Sequence, residues 1–422
     1  MKNKRINNKT LLSILIIAYV IISSINTAKN GGDFDVYLHA AEKLKNHQNI
    51  YIPPFFDGLQ YYYSVFFALL LIPFSNHYFI TEVVWSIGSY LLFYRTFKLV
   101  ANYYDFSGFS KKQYNLWLFL SVLLSFQFVM YNTSMIQVTF FILWAIFESL
   151  HQIFKGKNIL GGAILGVAIN IKLMPLLILP FLFYRGYFKA LSSTVVTFII
   201  LLFIPSIIIG YNFNSILMSE WWKIINPSNP EHVFETGIGT HSLVAILPVY
   251  LTETVGEMDL KRNILNLKYH TVEIIINLSR LFVLGLSLLY LRSIPFKKQT
   301  NKLSSIWEIS FFVLIIPLLL PHQQKYAFLL IIPMISYLLY FYIATFHVPK
   351  TMGYKISFYT FIIAMLLFSP LYGSDIIGKY LFLLTQHYRF LTFASLFVIP
   401  ISLYCSPNKL VKLMQNNTAH AS

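Results

Sequence analysis

The chain has 422 residues, 57% of them hydrophobic and only 11% charged, a balance that excludes an ordinary soluble domain and points to a polytopic membrane protein. Its 32 Lys and Arg against 16 Asp and Glu give a net charge of +16, but no basic stretch is long or aromatic-interleaved enough for a nucleic-acid surface. The excess reads instead as anchorage against anionic lipid. A single cysteine, Cys405, excludes an intrachain disulfide and metal sites built on thiolates.

The cationic start Lys2, Lys4, Arg5 and Lys9 precedes the apolar stretch Leu11 to Ile25, so the positive-inside bias holds the N-terminus in the cytoplasm. No small-residue cleavage site follows, and the stretch is expected to remain as a first helix. The segment Gly31-Gly32-Asp33-Phe34-Asp35-Val36-Tyr37 then emerges on the outer side with two carboxylates.

Further apolar runs occur at about 78–97, 114–131, 135–152, 159–172, 174–185, 190–210, 272–292, 305–320, 326–346, 355–372 and 388–405. With the first, they predict an all-α bundle of about twelve transmembrane helices with both termini inside. The run Tyr61 to Phe74 is shorter and contains Pro73. If it spanned, the basic loops around Lys111, Lys155, Arg185 and Lys297 would all invert. It is therefore expected to lie in or dip into the outer interface, where its Tyr61-Tyr62-Tyr63 cluster fits. The whole chain, 1–422, reads as one membrane domain whose outer loops, 27–77 and 211–271, carry the special chemistry.

The runs 159–172 and 174–185 are short for a bilayer, about 21 Å against a core of roughly 30 Å. The turn Asn170-Ile171-Lys172-Leu173-Met174-Pro175 should thus lie below the outer surface, which predicts a cavity containing Lys172. This topology sends Asp33, Asp35, Gln137, Lys172, Glu220, Glu231, His232, Glu235, His241, His322, Lys325, His387 and Arg389 to the outer face. A carboxylate facing several cations suits transfer from a phosphate-activated donor: a base for an acceptor hydroxyl and positive charge for the departing phosphate.

Plainer readings stand beside these. Outer-loop carboxylates are commonly solvated, and a lysine beside a buried proline can snorkel or cap a helix. Gly162 and Gly166 form a small-xxx-small face whose simplest use is close helix packing. Asp33-Phe34-Asp35 has the form of a metal-binding DxD, but a lone tripeptide is weak support, and His241 and His322 lack zinc-site spacing. No metal and no cofactor is expected.

Four segments together resemble the family 87 glycosyltransferases of the GT-C superfamily. They are DFDVYLHAAEKLKNHQNIY (33–51), YYYSVFFALLLIPF (61–74), NTSMIQVTFF (132–141) and KGKNILGGAILGVAINIKLMPLLILPFLFYRGYFKAL (155–191). The first resembles that family's D-x-x-V-Y segment; in the second, Ser64 stands near a position where proline is common. The later segments THSLVAIL (240–247) and LLPHQQKYAFLLIIP (319–333) depart further, His241 replacing the more usual Asn and His322 following its proline directly.

The resemblance implies an inverting hexosyltransferase, with mannose favoured, that uses a polyprenyl-phosphate sugar and a glycolipid or glycan acceptor at the outer leaflet of a bacterial inner membrane. Asp33, which opens D-x-x-V-Y, would be the general base. Asp35 falls on the variable position and would help orient substrate, together with Tyr37, Gln137 and His241. Lys172, His322, Lys325 and Arg389 would stabilise the phosphate, arginine bidentately. Membrane lipid is an expected partner and nucleic acid is not. The alternatives are a lipid-linked sugar flippase or transporter, against which the lack of a second short-helix pair counts, and an envelope-polysaccharide polymerase.

Overall fold

The computed structural model describes residues 8–226, 229, 232, 234–237, 239–292, 294–368 and 373–421. Lys2, Lys4 and Arg5, on which the expected orientation of the N-terminus rests, lie outside these residues, as does Glu231. The described residues form helices and connecting segments without a strand, apart from two isolated bridges, Phe56 to Leu59 and Thr240 to Gln324.

From the N-terminus, α1 (Asn8–Asn30), α2 (Asp33–Lys45), α3 (Val65–Leu71) and α4 (Tyr78–Ala101) lead to α5 (Lys111–Ser134), α6 (Thr139–Phe154), α7 (Asn158–Ile171), α8 (Leu179–Tyr184) and α9 (Phe188–Ile209). After α10 (Tyr211–Ile225) and α11 (Leu243–Leu251) come α12 (Tyr269–Leu291), α13 (Lys302–Leu319), α14 (Ile332–Ala344) and α15 (Met352–Leu367). The chain closes with α16 (Ser374–Ile377), α17 (Lys379–His387), α18 (Phe390–Tyr404) and α19 (Pro407–Ala421).

Apolar exposure orders these helices from the outside inwards. Leu12, Ile17 and Ile22 of α1 are each 59% exposed, and at about 1.5–3 kcal/mol for each large side chain left in water such a surface is at home only against lipid. Helices α9 and α12 show the same pattern, whereas α13 and α14 are apolar and enclosed along nearly their whole length. Among the described residues six helices are long and apolar enough to cross a membrane, or up to eight if each of two bent pairs is one span. The chain is thus an all-α, multi-pass membrane protein. Several apolar runs that the sequence offers as spans fold as shorter helices, including α6, α7 and α15. Hydropathy registers an apolar run and not the point at which its helix breaks.

The 61–74 run is one such break. Ser64 caps α3, its hydroxyl accepting from Phe67 N–H at 3.2 Å and donating to Asn170 Oδ1 at 2.8 Å. Helix α3 continues through a tight turn, Ile72–Phe74, and meets α4 at 115°. Ser64 therefore starts a helix and ties it to the end of α7.

Close packing sets the depth of that end. A Cβ on Gly162 would lie 2.7 Å from Ser193 Cβ, and one on Gly166 would lie 2.7 Å from Thr194 O, so α7 and α9 touch backbone to backbone along the small-residue face. Helix α7 stops at Ile171; Lys172 is extended, at φ −144° and ψ 126°, and Met174–Ile178 form a 3-10 turn. Pro175 keeps α7 from running on, because it lacks the N–H that would bond back to Ile171 O.

Candidate active site

A cavity of about 540 Å³ is lined by the start of α2, by residues 55–63, by the turn after α7, by Ile225, His232 and Thr240, and by residues 320–326. Its titratable lining groups include one carboxylate, Asp33, together with Lys172, His232 and His322.

Asp33 reaches this position through a glycine. A Cβ on Gly32 would stand 2.9 Å from the backbone of Met135, so only glycine lets the Asp33 N–H donate to Met135 O at 3.0 Å. The contact docks the first turn of α2 on the α5–α6 turn, where Ile136 is left-handed at φ 48°. Gln137, buried behind the cavity wall, then donates from Nε2 to the Asp33 carboxylate. Burial raises the Asp33 pKa above the usual carboxylate range; the Lys172 ammonium and the Gln137 hydrogen bond draw it partly back. This is not a solvated loop carboxylate.

Tyr37 follows Asp33 by one helical turn and shares its face. Its hydroxyl lies 2.5 Å from that of Tyr63 and donates to Gln137 Oε1 at 3.3 Å. Lys172 Nζ donates to the Tyr63 hydroxyl at 3.4 Å and sits 4.9 Å from the Tyr326 ring centroid. The ammonium is thus held by a hydroxyl and two aromatic faces, Tyr63 and Tyr326, with no carboxylate of the described residues within ion-pair distance, an arrangement suited to an incoming anion.

His322 forms another part of the wall. Its backbone is left-handed at φ 55°, and Glu235 Oε1 lies 2.6 Å from both its N–H and its Nδ1. The ring lies tilted against Tyr62, at 5.0 Å, and meets His232 edge-on at 4.8 Å. One carboxylate oxygen therefore fixes both the backbone and the ring of His322.

The structure brings Asp33, Tyr37, Lys172 and His322 to one cavity, with Gln137 directly behind Asp33. The other candidates lie elsewhere. Asp35 accepts the Gly32 N–H at 3.1 Å and caps α2; two residues along a helix place it nearly opposite Asp33, so the two carboxylates of DFD diverge. His241 is buried against Gln386 Oε1 at 3.0 Å, its pKa pushed down to about 3 by burial and then by Arg389. It is a neutral strut between the 240 loop and α17. Lys325 lies over the Tyr131 ring at 5.7 Å.

Arg389 is fully buried and paired with Glu257 Oε1 at 3.0 Å, and it also donates to Gly237 O at 2.8 Å and Thr236 O at 3.1 Å. Arg262 and His387 approach the other Glu257 oxygen. The guanidinium is thereby committed to fastening the segments around Thr236 and Glu257, and Glu220 is likewise paired, with Lys223 at 2.7 Å. Among the described residues no group of three His, Cys, Asp or Glu is arranged to hold a metal ion.

Sequence reasoning missed Tyr63 and Tyr326, because a tyrosine cluster at the edge of an apolar run looks like an interfacial belt. Glu235 stood among the outer-face residues without a role, and nothing in its spacing pairs it with His322.

The profile of glycosyltransferase family 87 matches residues 61–291. Gln137, Lys172, Glu235 and His241 fall inside the match, Asp33, Asp35 and Tyr37 precede it, and His322, Lys325 and Arg389 follow it. No curated protein and no solved structure matches the chain.

Proposed function

Since the chain belongs to glycosyltransferase family 87, whose profile matches more than half of it, we propose that it transfers a hexosyl unit, mannosyl favoured, from polyprenyl phosphate to an envelope glycolipid or glycan, with inversion. Family membership and the apolar helices make it a membrane glycosyltransferase. The finer reading is supported above all by one observation: a half-buried carboxylate, Asp33, faces the same cavity as Lys172, a lysine that makes no ion pair among the described residues.

In this reading an acceptor hydroxyl enters beside Asp33, which accepts its proton as the oxygen attacks the anomeric carbon. The bond from that carbon to the phosphate oxygen breaks on the opposite face, and polyprenyl phosphate leaves with the electron pair. Because phosphate is already a good leaving group, one positioned carboxylate suffices, whereas inverting hydrolysis of an ordinary glycoside needs two. Lys172 and His322 balance the phosphate charge. Tyr37 and Gln137 hold the base, and Asp35 keeps the turn that presents it. His241, Lys325 and Arg389 serve the site by supporting the outer loops. The proposed setting is a bacterial inner membrane with both termini cytoplasmic and the cavity open to the outer face, the shorter apolar helices completing about twelve passes.

The test is an assay of membranes containing the protein with a panel of polyprenyl-phosphate and nucleotide sugars, followed by product analysis. Transfer from a polyprenyl-phosphate hexose supports the proposal; transfer only from nucleotide sugars overturns the donor assignment. Movement of a lipid-linked sugar across vesicles without transfer would make the protein a flippase.

A further inference from the structure

Lys172 and Asp33 are joined by a continuous series of hydrogen bonds whose direction their chemistry fixes. An ammonium can only donate and a carboxylate can only accept. Lys172 therefore donates to the Tyr63 hydroxyl at 3.4 Å, which leaves the Tyr63 proton to reach the Tyr37 oxygen at 2.5 Å. Tyr37 in turn donates to Gln137 Oε1 at 3.3 Å, and Gln137 Nε2 donates to Asp33. Reversing the middle link would leave the Tyr63 proton without an acceptor in the series and strip Gln137 Oε1 of its donor. Each hydroxyl and amide in the series accepts from the lysine side and donates towards the aspartate.

The intermediate groups have little access to water: Tyr37 is 2% exposed, Tyr63 7% and Gln137 1%. A lost link is therefore not replaced by solvent, and its partner is left unsatisfied in a low-dielectric setting. Tyr63 is itself fixed, its carbonyl accepting from the Tyr51 hydroxyl at 2.8 Å and its ring meeting Tyr37 edge-on at 4.5 Å. The four supports of the series come from different elements: the turn after α7, the loop before α3, helix α2 and the α5–α6 turn.

We infer that Tyr63 is a positioning residue which, through Tyr37 and Gln137, ties the orientation of the Asp33 carboxylate to the Lys172 ammonium. A donor phosphate held at Lys172 and an acceptor hydroxyl held at Asp33 would then be registered against each other by one polarised chain rather than by two independent contacts. The inference rests on the reading of Asp33 as base and Lys172 as the phosphate cation.

The test uses the full-length protein in nanodiscs, with polyprenyl-phosphate mannose as donor and octyl α-mannoside as acceptor, and compares Tyr63→Phe, Tyr37→Phe, the double variant and Asp33→Asn. Each Tyr→Phe change is expected to lower kcat about tenfold, the loss associated with one buried hydrogen bond, while donor KM stays within about twofold and thermal unfolding is little changed. A chain once broken is not broken again, so the double variant should be no slower than the slower single. Losses that multiply, or unchanged kcat in Tyr63→Phe beside an inactive Asp33→Asn, overturn the inference and leave the functional reading intact. An active Asp33→Asn, or no transfer by the unaltered protein, overturns the functional reading and the inference with it. If Tyr63→Phe does not fold, Tyr37→Phe breaks the next link and carries the same expectation.

Discussion

Gln137 donates from its amide nitrogen to the carboxylate of Asp33, a residue 104 positions earlier in the chain. That bond gives the aspartate at the start of α2 a fixed orientation, and it does so from a side chain that is itself almost wholly buried.

A first consequence concerns pH. A base at Asp33 works as the carboxylate, so on the proposed reading transfer should be present above its pKa and be lost as pH falls through it. Burial raises that pKa, while Lys172 and Gln137 lower it. The acid limb of kcat/KM is accordingly expected above the ordinary carboxylate range, and Gln137→Leu or Lys172→Met should move it higher still. A pH–rate profile checks both statements; a limb that moved down in either variant would contradict them.

Gly32→Ala should separate the site from the fold. The added methyl would meet the Met135 backbone at 2.9 Å, forcing α2 away from the α5–α6 turn at a cost of about 1–3 kcal/mol. Transfer should fall by more than about tenfold as the hydrogen bonds to Asp33 loosen. Gly285→Ala in α12 is the control, since its Cβ would meet nothing within 4 Å, and its activity should be unchanged. Thermal unfolding and transfer assays on the pair decide the point.

Glu235 and His322 should behave as one unit. Because one Glu235 oxygen holds both the N–H and Nδ1 of His322, Glu235→Ala should release the ring and raise donor KM about as much as His322→Ala does. The double variant should be no worse than the poorer single. Steady-state kinetics with varied donor would show multiplied effects if the two acted separately.

Arg389→Met is expected to act on stability first. It leaves Glu257 buried beside Arg262 and His387 and frees the carbonyls of Thr236 and Gly237, and breaking a buried pair costs about 3–5 kcal/mol. Pairing it with Glu257→Gln should recover part of the loss. A thermal shift accompanied by unchanged donor KM in the surviving folded protein supports the structural role; a raised donor KM without a thermal shift would return Arg389 to the phosphate.

How much of this was legible in the sequence depends on how far each feature reaches. Asp33 and Tyr37 are four apart on one helix, so their shared face can be read directly. Lys172 stands out as a charge just before a proline in an apolar run, and its place in a cavity follows from helix length. The bond from Gln137 to Asp33 could not be read in this way, because it depends on the absence of a side chain at Gly32, which lets α2 touch the Met135 backbone. Arg389 looks like a cation for a phosphate, and His241 like a substrate contact, until Glu257 and Gln386 are seen to hold them. Charge alone did not say which cations were already taken. The run that becomes α6 reads as a full span because hydropathy does not mark Ile136, where the backbone turns, whereas the break at Lys172 and Pro175 is legible from the shortness of the runs 159–172 and 174–185.

The most direct measurement is transfer by Asp33→Asn, reconstituted in vesicles and supplied with the polyprenyl-phosphate hexose that the unaltered protein uses, alongside binding of that donor. Asparagine keeps the size of the side chain and can still bond Gln137, but it cannot take a proton. Transfer should fall by about 100-fold or more, the contribution expected of a general base, with donor binding and thermal unfolding nearly unchanged. Near-normal turnover by the folded variant would contradict the account.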